Sequence, residues 1–220
     1  MGASAAAYRG IGMEGMIAKW YVAVTRKGME EYRTLAREIA SGLNPEASVL
    51  EVAPGPGFLA IEIARLGPYR VSGLDISRSF VAIARQHARE SGVEVDFRLG
   101  NASDMPFDGE QFDFLVCRAA FKNFAQPVDA LCEMRRVLKP GGQALIIDLR
   151  RDSLPAAIRQ LVDTMGLHPV NRFLTRLTFR HTLLRRAYTR VEFEKLISQT
   201  GFQSGKIEES PTGLEVRLRK

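Results

Sequence analysis

The strongest constraint in this sequence is an alternation of short apolar runs with helical patterns between residues 48 and 149. Strands that alternate with helices favour a parallel sheet, because each helix supplies the crossover to the next parallel strand. The pattern therefore predicts a doubly wound α/β fold. Its five apolar runs of strand length are Ser48–Ala53, Val71–Asp75, Glu94–Leu99, Phe112–Cys117 and Ala144–Leu149.

The two ends of the chain complete this prediction. Residues 12–43 have helical spacing, residues 153–186 are helical but irregular, and Thr189–Glu192 is a capping box that begins a last helix. We therefore expect a mostly parallel, seven-stranded sheet with a helical cap and a C-terminal antiparallel hairpin. The two strand patterns of that hairpin flank a Ser-Pro-Thr-Gly turn and are Gln203–Glu209 and Leu214–Leu218.

Composition excludes several classes of protein. Of the 220 residues, 45% are hydrophobic and 25% are charged, as in ordinary globular proteins, which excludes collagens, coiled-coil rods and wholly disordered chains. No apolar stretch reaches the ~18 residues that a membrane-spanning helix needs. Residues 1–7 lack the basic lead and long apolar core of a signal peptide. We expect a soluble cytoplasmic protein in which Cys117 and Cys132 are reduced thiols.

The net charge of +6 is concentrated in one segment. Residues 150–190 contain nine arginines and two aspartates, a net charge of +7, so the rest of the chain is close to neutral. Arg172, Arg176 and Arg180 are four residues apart and would line one face of a helix. This row is interpreted either as a solvated helix face or as a contact for an anionic acceptor or RNA.

A glycine-containing loop follows the first predicted strand. Gly55 and Gly57 allow the backbone to approach a ligand closely, and the helix behind them directs free N–H groups toward that ligand. Asp75 ends the next strand, 20 residues after Gly55, and a carboxylate there can accept hydrogen bonds from a ribose diol. Residues 55–60 also match the dinucleotide fingerprint formally, so the loop alone does not decide the ligand.

Three observations count against a nicotinamide enzyme. Glu51 places a negative charge beside the loop, which disfavours a pyrophosphate and favours an ammonium group. No tyrosine is followed four residues later by lysine, so the common short-chain hydride-transfer pair is absent. A second catalytic domain would not fit in 220 residues.

At this point the sequence resembles the class I S-adenosylmethionine-dependent methyltransferases. It is most similar to the small-molecule branch that includes the ubiquinone/menaquinone methyltransferase-like enzymes, and the resemblance is strong over residues 48–150. Five motifs occur in the family's order and spacing, which makes the resemblance specific. They are the loop Glu51–Gly57, the strand end Gly73–Ser77, the segment Gly100–Phe107, the strand Phe112–Val116 and the turn region Glu133–Gly142.

The resemblance implies a Rossmann-like methyltransferase fold, S-adenosylmethionine as the cofactor, S-adenosylhomocysteine as the product, and no metal. The acceptor would be a small molecule that attacks the sulfonium methyl group in line. Asp75 would bind the ribose hydroxyls, Ile76 would pack on the adenine, and Arg118 would lie near the donor methyl group. The cofactor-binding residues implied in this way are Glu51, Ala53, Pro54, Gly55, Gly57, Asp75, Ile76, Asn101, Ala102 and Arg118.

Three positions depart from the family pattern. Ala53 replaces the first glycine of the loop, and Asn101 stands where many relatives have aspartate. Lys122-Asn123 occupies the end of the fourth strand, where relatives often have two histidines. No catalytic residue follows from the sequence, so the acceptor-site candidates rest on position alone. They are Tyr8, Tyr21, Phe121, Lys122 and Tyr188.

Two other functions stay open. An RNA or other nucleic-acid methyltransferase would use the basic segment 150–190, and a non-catalytic module would bind S-adenosylmethionine without turnover. The sequence carries no signal for oligomeric state. The expected organisation has N-terminal helices that contribute to the cap (1–44), a cofactor-binding core (45–150), a helical cap (151–188), and a final helix and hairpin (189–220).

Overall fold

The protein is described by a computed structural model that covers residues 8–10, 12–165 and 168–220. One sheet of seven strands has the order β3-β2-β1-β4-β5-β7-β6. Strands β1 to β5 pair in parallel, whereas β7 runs antiparallel to both of its neighbours, β5 and β6. The strands are β1 Ser48–Val52, β2 Arg70–Asp75, β3 Asp96–Leu99, β4 Phe112–Arg118, β5 Leu138–Leu149, β6 Ser204–Glu209 and β7 Gly213–Arg219. The predicted fold class is confirmed.

Helices connect the parallel strands and also extend beyond the sheet at the N-terminus and after β5. A 3₁₀ turn, Arg26–Gly28, joins the first two helices, and a π-helical turn, Phe179–Leu183, continues the seventh. The described helices are α1 Gly15–Thr25, α2 Met29–Ser41, α3 Phe58–Ala64, α4 Arg78–Glu90, α5 Pro127–Val137, α6 Pro155–Thr164, α7 Pro169–Thr178 and α8 Arg190–Ile197.

Local sequence signals begin several of these helices. The Ser77 hydroxyl accepts a hydrogen bond from the Phe80 N–H at 3.1 Å and caps α4. Thr189 and Glu192 form the predicted capping box of α8, in which each side chain bonds to the backbone of the other residue. Pro127 occupies the first turn of α5, where its missing N–H costs nothing.

Strand β5 starts earlier than the apolar run indicated. It begins at Leu138 rather than Ala144, and its pairing with β4 breaks once. Leu138 pairs with Phe112 and Gln143 pairs with Phe114, so the four residues 139–142 lie opposite one residue of β4, Asp113. The Lys-Pro-Gly-Gly segment, which was predicted to be a turn before the strand, is therefore an irregular part of β5 itself.

The central strand β1 is buried on both faces. Val49 packs into the core layer formed with α2, α3 and α4, whereas Leu50 packs into the opposite layer with α5 and α8. Successive residues of a strand point to opposite faces, which explains why β1 is apolar without alternation. Between β1 and β4 the strand order reverses, and at such a point open α/β sheets bind ligands beyond the carboxyl ends of their strands.

Within the described ranges, no helix combines the length and the apolar character that crossing a membrane requires.

Candidate functional site

The predicted cofactor residues come together at the carboxyl edge of the sheet. The loop 53–57 follows β1, Asp75 is the last residue of β2, and Arg118 is the last residue of β4. Because these strands are adjacent and parallel, their ends open toward the same crevice. The Gly55 N–H donates to Asp75 Oδ2 at 2.9 Å and joins the loop directly to the end of β2.

The loop has three left-handed backbone positions. Ala53, Gly55 and Gly57 have φ angles of 57°, 54° and 80°. At Gly57 a Cβ would lie 2.7 Å from the Phe97 ring and 2.9 Å from the Ala84 Cβ, so only glycine fits. Ala53 stands where the family pattern has glycine. Alanine is small enough to fit there, but the left-handed conformation costs it about 1–2 kcal/mol.

Asp75 has the geometry that a ribose diol requires. Its Oδ1 accepts a hydrogen bond from the Ser77 N–H at 2.9 Å, and its Oδ2 accepts the bond from Gly55. The Ile76 N–H also acts on this carboxylate, so backbone donors occupy acceptor positions on both oxygens. Burial raises the pKa of Asp75 to about 6, against the lowering effect of these backbone hydrogen bonds.

Glu51 is the second buried acid of the site. The side chain is only 3% exposed, and its Oε2 accepts a hydrogen bond from the Ala60 N–H, in the first turn of α3, at 2.8 Å. Burial raises the pKa of Glu51 to about 8, although the bond from Ala60 and the charge of Arg118 oppose this rise. A cationic ligand group beside Glu51 would favour its ionised form.

Arg118 is held against the second helix. Its guanidinium lies 4.6 Å from the centroid of the Tyr32 ring and 2.9 Å from a carboxylate oxygen of Glu31. Its charge also lowers the pKa of Glu51, so the guanidinium lies within electrostatic range of the buried acid. Its predicted position near the donor methyl group stays a prediction.

The predicted adenine segment forms a tight turn beside β2. The Gly100 N–H donates to the Asp75 carbonyl at 2.9 Å, and Asn101 Oδ1 accepts a hydrogen bond from the Ser103 N–H at 3.0 Å. Ala102 and Ile76 are partly buried. Asn101 therefore uses one of its oxygen lone pairs within its own turn and keeps the second for a ligand.

The N-terminal segment packs onto the cofactor loop. The Tyr21 ring on α1 lies 3.8 Å from the Cβ position of Gly55 and contacts the Phe80 ring edge-on, with 5.6 Å between centroids. Glu14, just before α1, accepts hydrogen bonds at 3.0 Å from the N–H groups of Arg78 and Ser79, so it caps α4. The sequence analysis missed Glu14, because no local pattern indicates a bond to residues 64 positions away.

The acceptor-site candidates fall into two groups. Tyr21 packs against the glycine loop, whereas Tyr8, Phe121 and Tyr188 lie at the 3₁₀ turn that follows β4. The Phe121 ring is fully buried and lies 5.8 Å from the Tyr188 ring, and Tyr8 bridges to the neighbouring Phe124.

Lys122 is held in a buried ion pair. Its Nζ lies 2.8 Å from Asp148 Oδ1, and its backbone N–H donates to Asp148 Oδ2 at the same distance. Both side chains are at most 6% exposed. The Lys122 ammonium also donates to the Ala119 carbonyl, so its protons are largely committed within the protein.

The basic segment is partly neutralised by its own acids. Arg176 lies 2.7 Å and Arg172 lies 3.7 Å from the same carboxylate oxygen of Asp163. Arg150 pairs with Asp152 at 2.8 Å. Among the described residues there is also no group of three or more histidine, cysteine, aspartate or glutamate side chains placed to hold a metal ion.

Comparison with solved structures identifies the fold. A Methanococcus maripaludis protein assigned as an S-adenosyl-L-methionine-dependent methyltransferase matches 96% of this chain and 97% of its own, with a TM-score of 0.77 and 17% identity. A SAM-dependent methyltransferase from Aquifex aeolicus matches 87% of this chain and 97% of its own, with a TM-score of 0.65 and 17% identity. The chain therefore has the fold of these two proteins, and the Rossmann-like methyltransferase fold that the motifs implied is confirmed.

Sequence comparison finds similar methyltransferases. Residues 50–146 match the family described as methyltransferase domain. A ubiquinone biosynthesis O-methyltransferase of Roseobacter denitrificans is 36% identical over 134 residues, 58% of this chain and 54% of that protein. A demethylmenaquinone methyltransferase of Deinococcus radiodurans is 36% identical over 101 residues, 46% of this chain and 42% of that protein. The chain thus spans about half the length of these curated relatives.

Proposed function

We propose that this protein transfers a methyl group from S-adenosylmethionine to a small aromatic acceptor of the quinone-precursor type. The observation that carries the cofactor assignment is Asp75, a buried carboxylate at the end of β2 that is hydrogen-bonded to the N–H of Gly55 in the glycine loop. The acceptor class is suggested by the relatives, a ubiquinone biosynthesis O-methyltransferase and a demethylmenaquinone methyltransferase. We further propose that residues 1–44 and 151–188 form a cap over the core 45–150.

The residues at the carboxyl edge fit the cofactor. When bound, S-adenosylmethionine supplies an electrophilic methyl group on a sulfonium, which a nucleophile takes to leave S-adenosylhomocysteine. Asp75 would accept hydrogen bonds from the two ribose hydroxyls, and Glu51 would neutralise the methionyl ammonium. The N–H groups of the loop and of α3 would face the methionyl carboxylate. Asn101 and Ile76 would border the adenine.

The protein's main contribution to the reaction is alignment and exclusion of water. Tyr21 and α1 cover the cofactor loop, which shields the reacting atoms from solvent. Holding acceptor and donor in line is worth about 7–11 kcal/mol of the barrier. A phenolic acceptor must also lose its proton, and Tyr8 and Lys122 are the candidate groups near the β4 end that could influence that proton.

Titration calorimetry tests the cofactor assignment. The wild type is expected to bind S-adenosylmethionine and S-adenosylhomocysteine, and Asp75→Asn should weaken binding by about 100-fold because two charge-assisted hydrogen bonds are lost. The matched control is Asp108→Asn at an exposed aspartate, which should bind like the wild type. Absence of binding by the wild type would refute the proposal.

No observation on the described residues favours a nucleic-acid substrate. Arg172 and Arg176, two of the three arginines in the row that suggested one, share the carboxylate of Asp163, and this lowers the positive charge that the row offers.

A further inference from the structure

One face of α4 lies against the glycine loop. A Cβ at Gly55 would lie 4.0 Å from the Phe80 ring. A Cβ at Gly57 would lie 2.9 Å from the Ala84 Cβ, which is one helical turn after Phe80. His87 follows Ala84 by three residues, so its side chain projects from the same face of the helix, a further turn along. The helix therefore places an imidazole beside the loop.

His87 is hydrogen-bonded to the backbone of the loop. Its Nδ1 lies 2.9 Å from the carbonyl oxygen of Pro56, the residue between the two loop glycines. A carbonyl oxygen only accepts hydrogen bonds, so Nδ1 carries the proton and donates it. The imidazole is also stacked on the Phe58 ring, with 5.2 Å between centroids and 14° between planes. The stacking fixes the ring, and the fixed ring directs its N–H at the loop.

The bonded carbonyl belongs to a peptide unit that would otherwise rotate easily. The unit between Pro56 and Gly57 precedes a glycine with a φ of 80°, and glycine restricts such a rotation least. Its N–H, from Gly57, donates to the Pro54 carbonyl at 3.0 Å and closes a turn. Its carbonyl accepts the bond from His87. The imidazole therefore fixes the second end of this unit.

This peptide unit lies directly before α3, whose first turn begins at Phe58. The Gly57 carbonyl accepts a hydrogen bond from the Ile61 N–H at 3.0 Å, so the glycine is joined to the start of the helix. An anion binds at such a place through N–H groups that are directed toward it, and a carbonyl oxygen turned toward the anion would repel it. His87 keeps the Pro56 carbonyl oxygen beside α4 and away from that role.

We propose that His87 is a positioning residue for the cofactor: it holds the Pro56 carbonyl and so keeps the glycine loop in the conformation that receives the methionyl carboxylate of S-adenosylmethionine. This inference rests on the proposed function and assigns a role in it to a residue outside the five sequence motifs. A loop that is ordered before binding loses less conformational freedom on binding, so it binds its ligand more tightly.

Two substitutions separate the N–H donor from the ring. His87→Phe keeps a ring that can stack on Phe58 but offers no donor to Pro56, whereas His87→Asn keeps an amide N–H close to the position of Nδ1 but has no ring. In calorimetric titrations with S-adenosylmethionine, His87→Phe should bind about 10-fold more weakly than the wild type, and His87→Asn at most about threefold more weakly. Gln86→Ala is the matched control, since Gln86 bonds to Glu90 on the exposed side of the same helix.

Thermal unfolding separates positioning from packing. His87→Asn removes a half-buried ring and leaves a gap beside Phe58, so its Tm should be lower than that of His87→Phe. Affinity should therefore follow the donor, whereas Tm should follow the ring. If His87→Asn is the weaker binder as well as the less stable variant, His87 acts only through packing and the inference is overturned.

The imidazole itself provides a readout that needs no variant. In ¹⁵N NMR spectra recorded above about pH 8, the His87 ring should be the Nδ1–H tautomer, because the hydrogen bond to Pro56 sets which nitrogen carries the proton. An Nε2–H tautomer overturns the inference. A wild type that binds S-adenosylmethionine while His87→Phe binds it equally well overturns this inference alone. A wild type that does not bind S-adenosylmethionine refutes the proposed function itself.

Discussion

Gly57 is the residue on which the cofactor loop depends most strictly. A methyl group there would meet both the Phe97 ring and the Ala84 Cβ at less than 3 Å, and its φ of 80° disfavours any side chain. We expect Gly57→Ala to lower the free energy of unfolding by about 2–4 kcal/mol, the sum of overpacking and backbone strain. Urea denaturation measures this change.

The control for this prediction is Gly92→Ala. Gly92 also has a positive φ, 66°, but a Cβ there has no neighbour within 4 Å. Only the backbone penalty applies, so the loss should be about 1 kcal/mol. Equal losses at the two positions would show that close packing of the loop does not limit the residue at 57.

Glu51 makes the stability of the free protein depend on pH. Its pKa rises from 4.5 to about 8 on folding, so near neutral pH the folded protein binds a proton that the unfolded chain has released. The free energy of unfolding must therefore fall as pH rises from about 4.5 to about 8, and the loss is complete above that range. Asp75, with a pKa of about 6, adds to the fall at lower pH.

Replacing Glu51 by glutamine removes this dependence while keeping an oxygen for the Ala60 N–H. Glu51→Gln should be more stable than the wild type by on the order of 2–4 kcal/mol at pH 8.5, and by much less at pH 5. Denaturation curves at the two pH values measure the difference, with the exposed Glu94→Gln as the control. A stability gain that is equal at both pH values would contradict the raised pKa.

At the scale of elements, α1 is attached to the start of α4 by several polar contacts, and the carboxylate of Glu14 makes two of them. Glu14 accepts from the Arg78 and Ser79 N–H groups, and the Ser77 hydroxyl donates to the Met13 carbonyl at 2.7 Å. Glu14→Ala removes a helix cap worth about 1 kcal/mol. Amide exchange of residues 15–25 should therefore become about 5- to 10-fold faster, as measured by hydrogen–deuterium exchange.

Glu90→Ala is the control for that measurement, because Glu90 lies at the other end of α4 and contacts Gln86 only within the helix. Exchange of residues 15–25 should be unchanged in this variant. If Glu14→Ala leaves the exchange of α1 unchanged, packing rather than the carboxylate holds the helix in place.

The elements were predictable where the signal is local. The five parallel strands coincide with apolar runs, and Pro127, Ser77 and the Thr189 capping box begin helices where expected. The start of β5 was not predictable, because residues 139–142 look like a turn. They join the strand through the pairing of Leu138 with Phe112 and through backbone hydrogen bonds of Gly141 and Gly142 with Lys220. Sequence patterns report local preference, whereas strand ends depend on neighbouring strands.

Some features of the candidate site were likewise predictable from the sequence, and others were not. Asp75 and the loop glycines were found because a family motif fixes their spacing. The pairing of Lys122 with Asp148 was not found, because it joins residues 26 positions apart that meet only in the folded sheet.

At the scale of the whole molecule, the two edges of the sheet differ. A groove of about 750 Å³ lies at the amino ends of the strands, lined by residues such as Ser48, Arg70 and Gln111. Parallel α/β sheets bind ligands at the carboxyl edge, so we expect Gln111→Ala to keep the thermal stabilisation that S-adenosylmethionine gives the wild type. Asp75→Asn should lose most of that stabilisation at the same cofactor concentration. If Gln111→Ala lost this thermal stabilisation, the result would indicate that the cofactor binds at the amino edge of the sheet.

The place of β7 in the sheet has a consequence for synthesis on the ribosome. β7 lies between β5 and β6, although it is the last of the three to be translated. While the nascent chain emerges, β5 offers an open edge and β6 has not yet gained its hydrogen-bonding neighbour. The sheet is therefore completed by insertion of a late strand between two earlier ones, and that step sets when the newborn protein can first close its core.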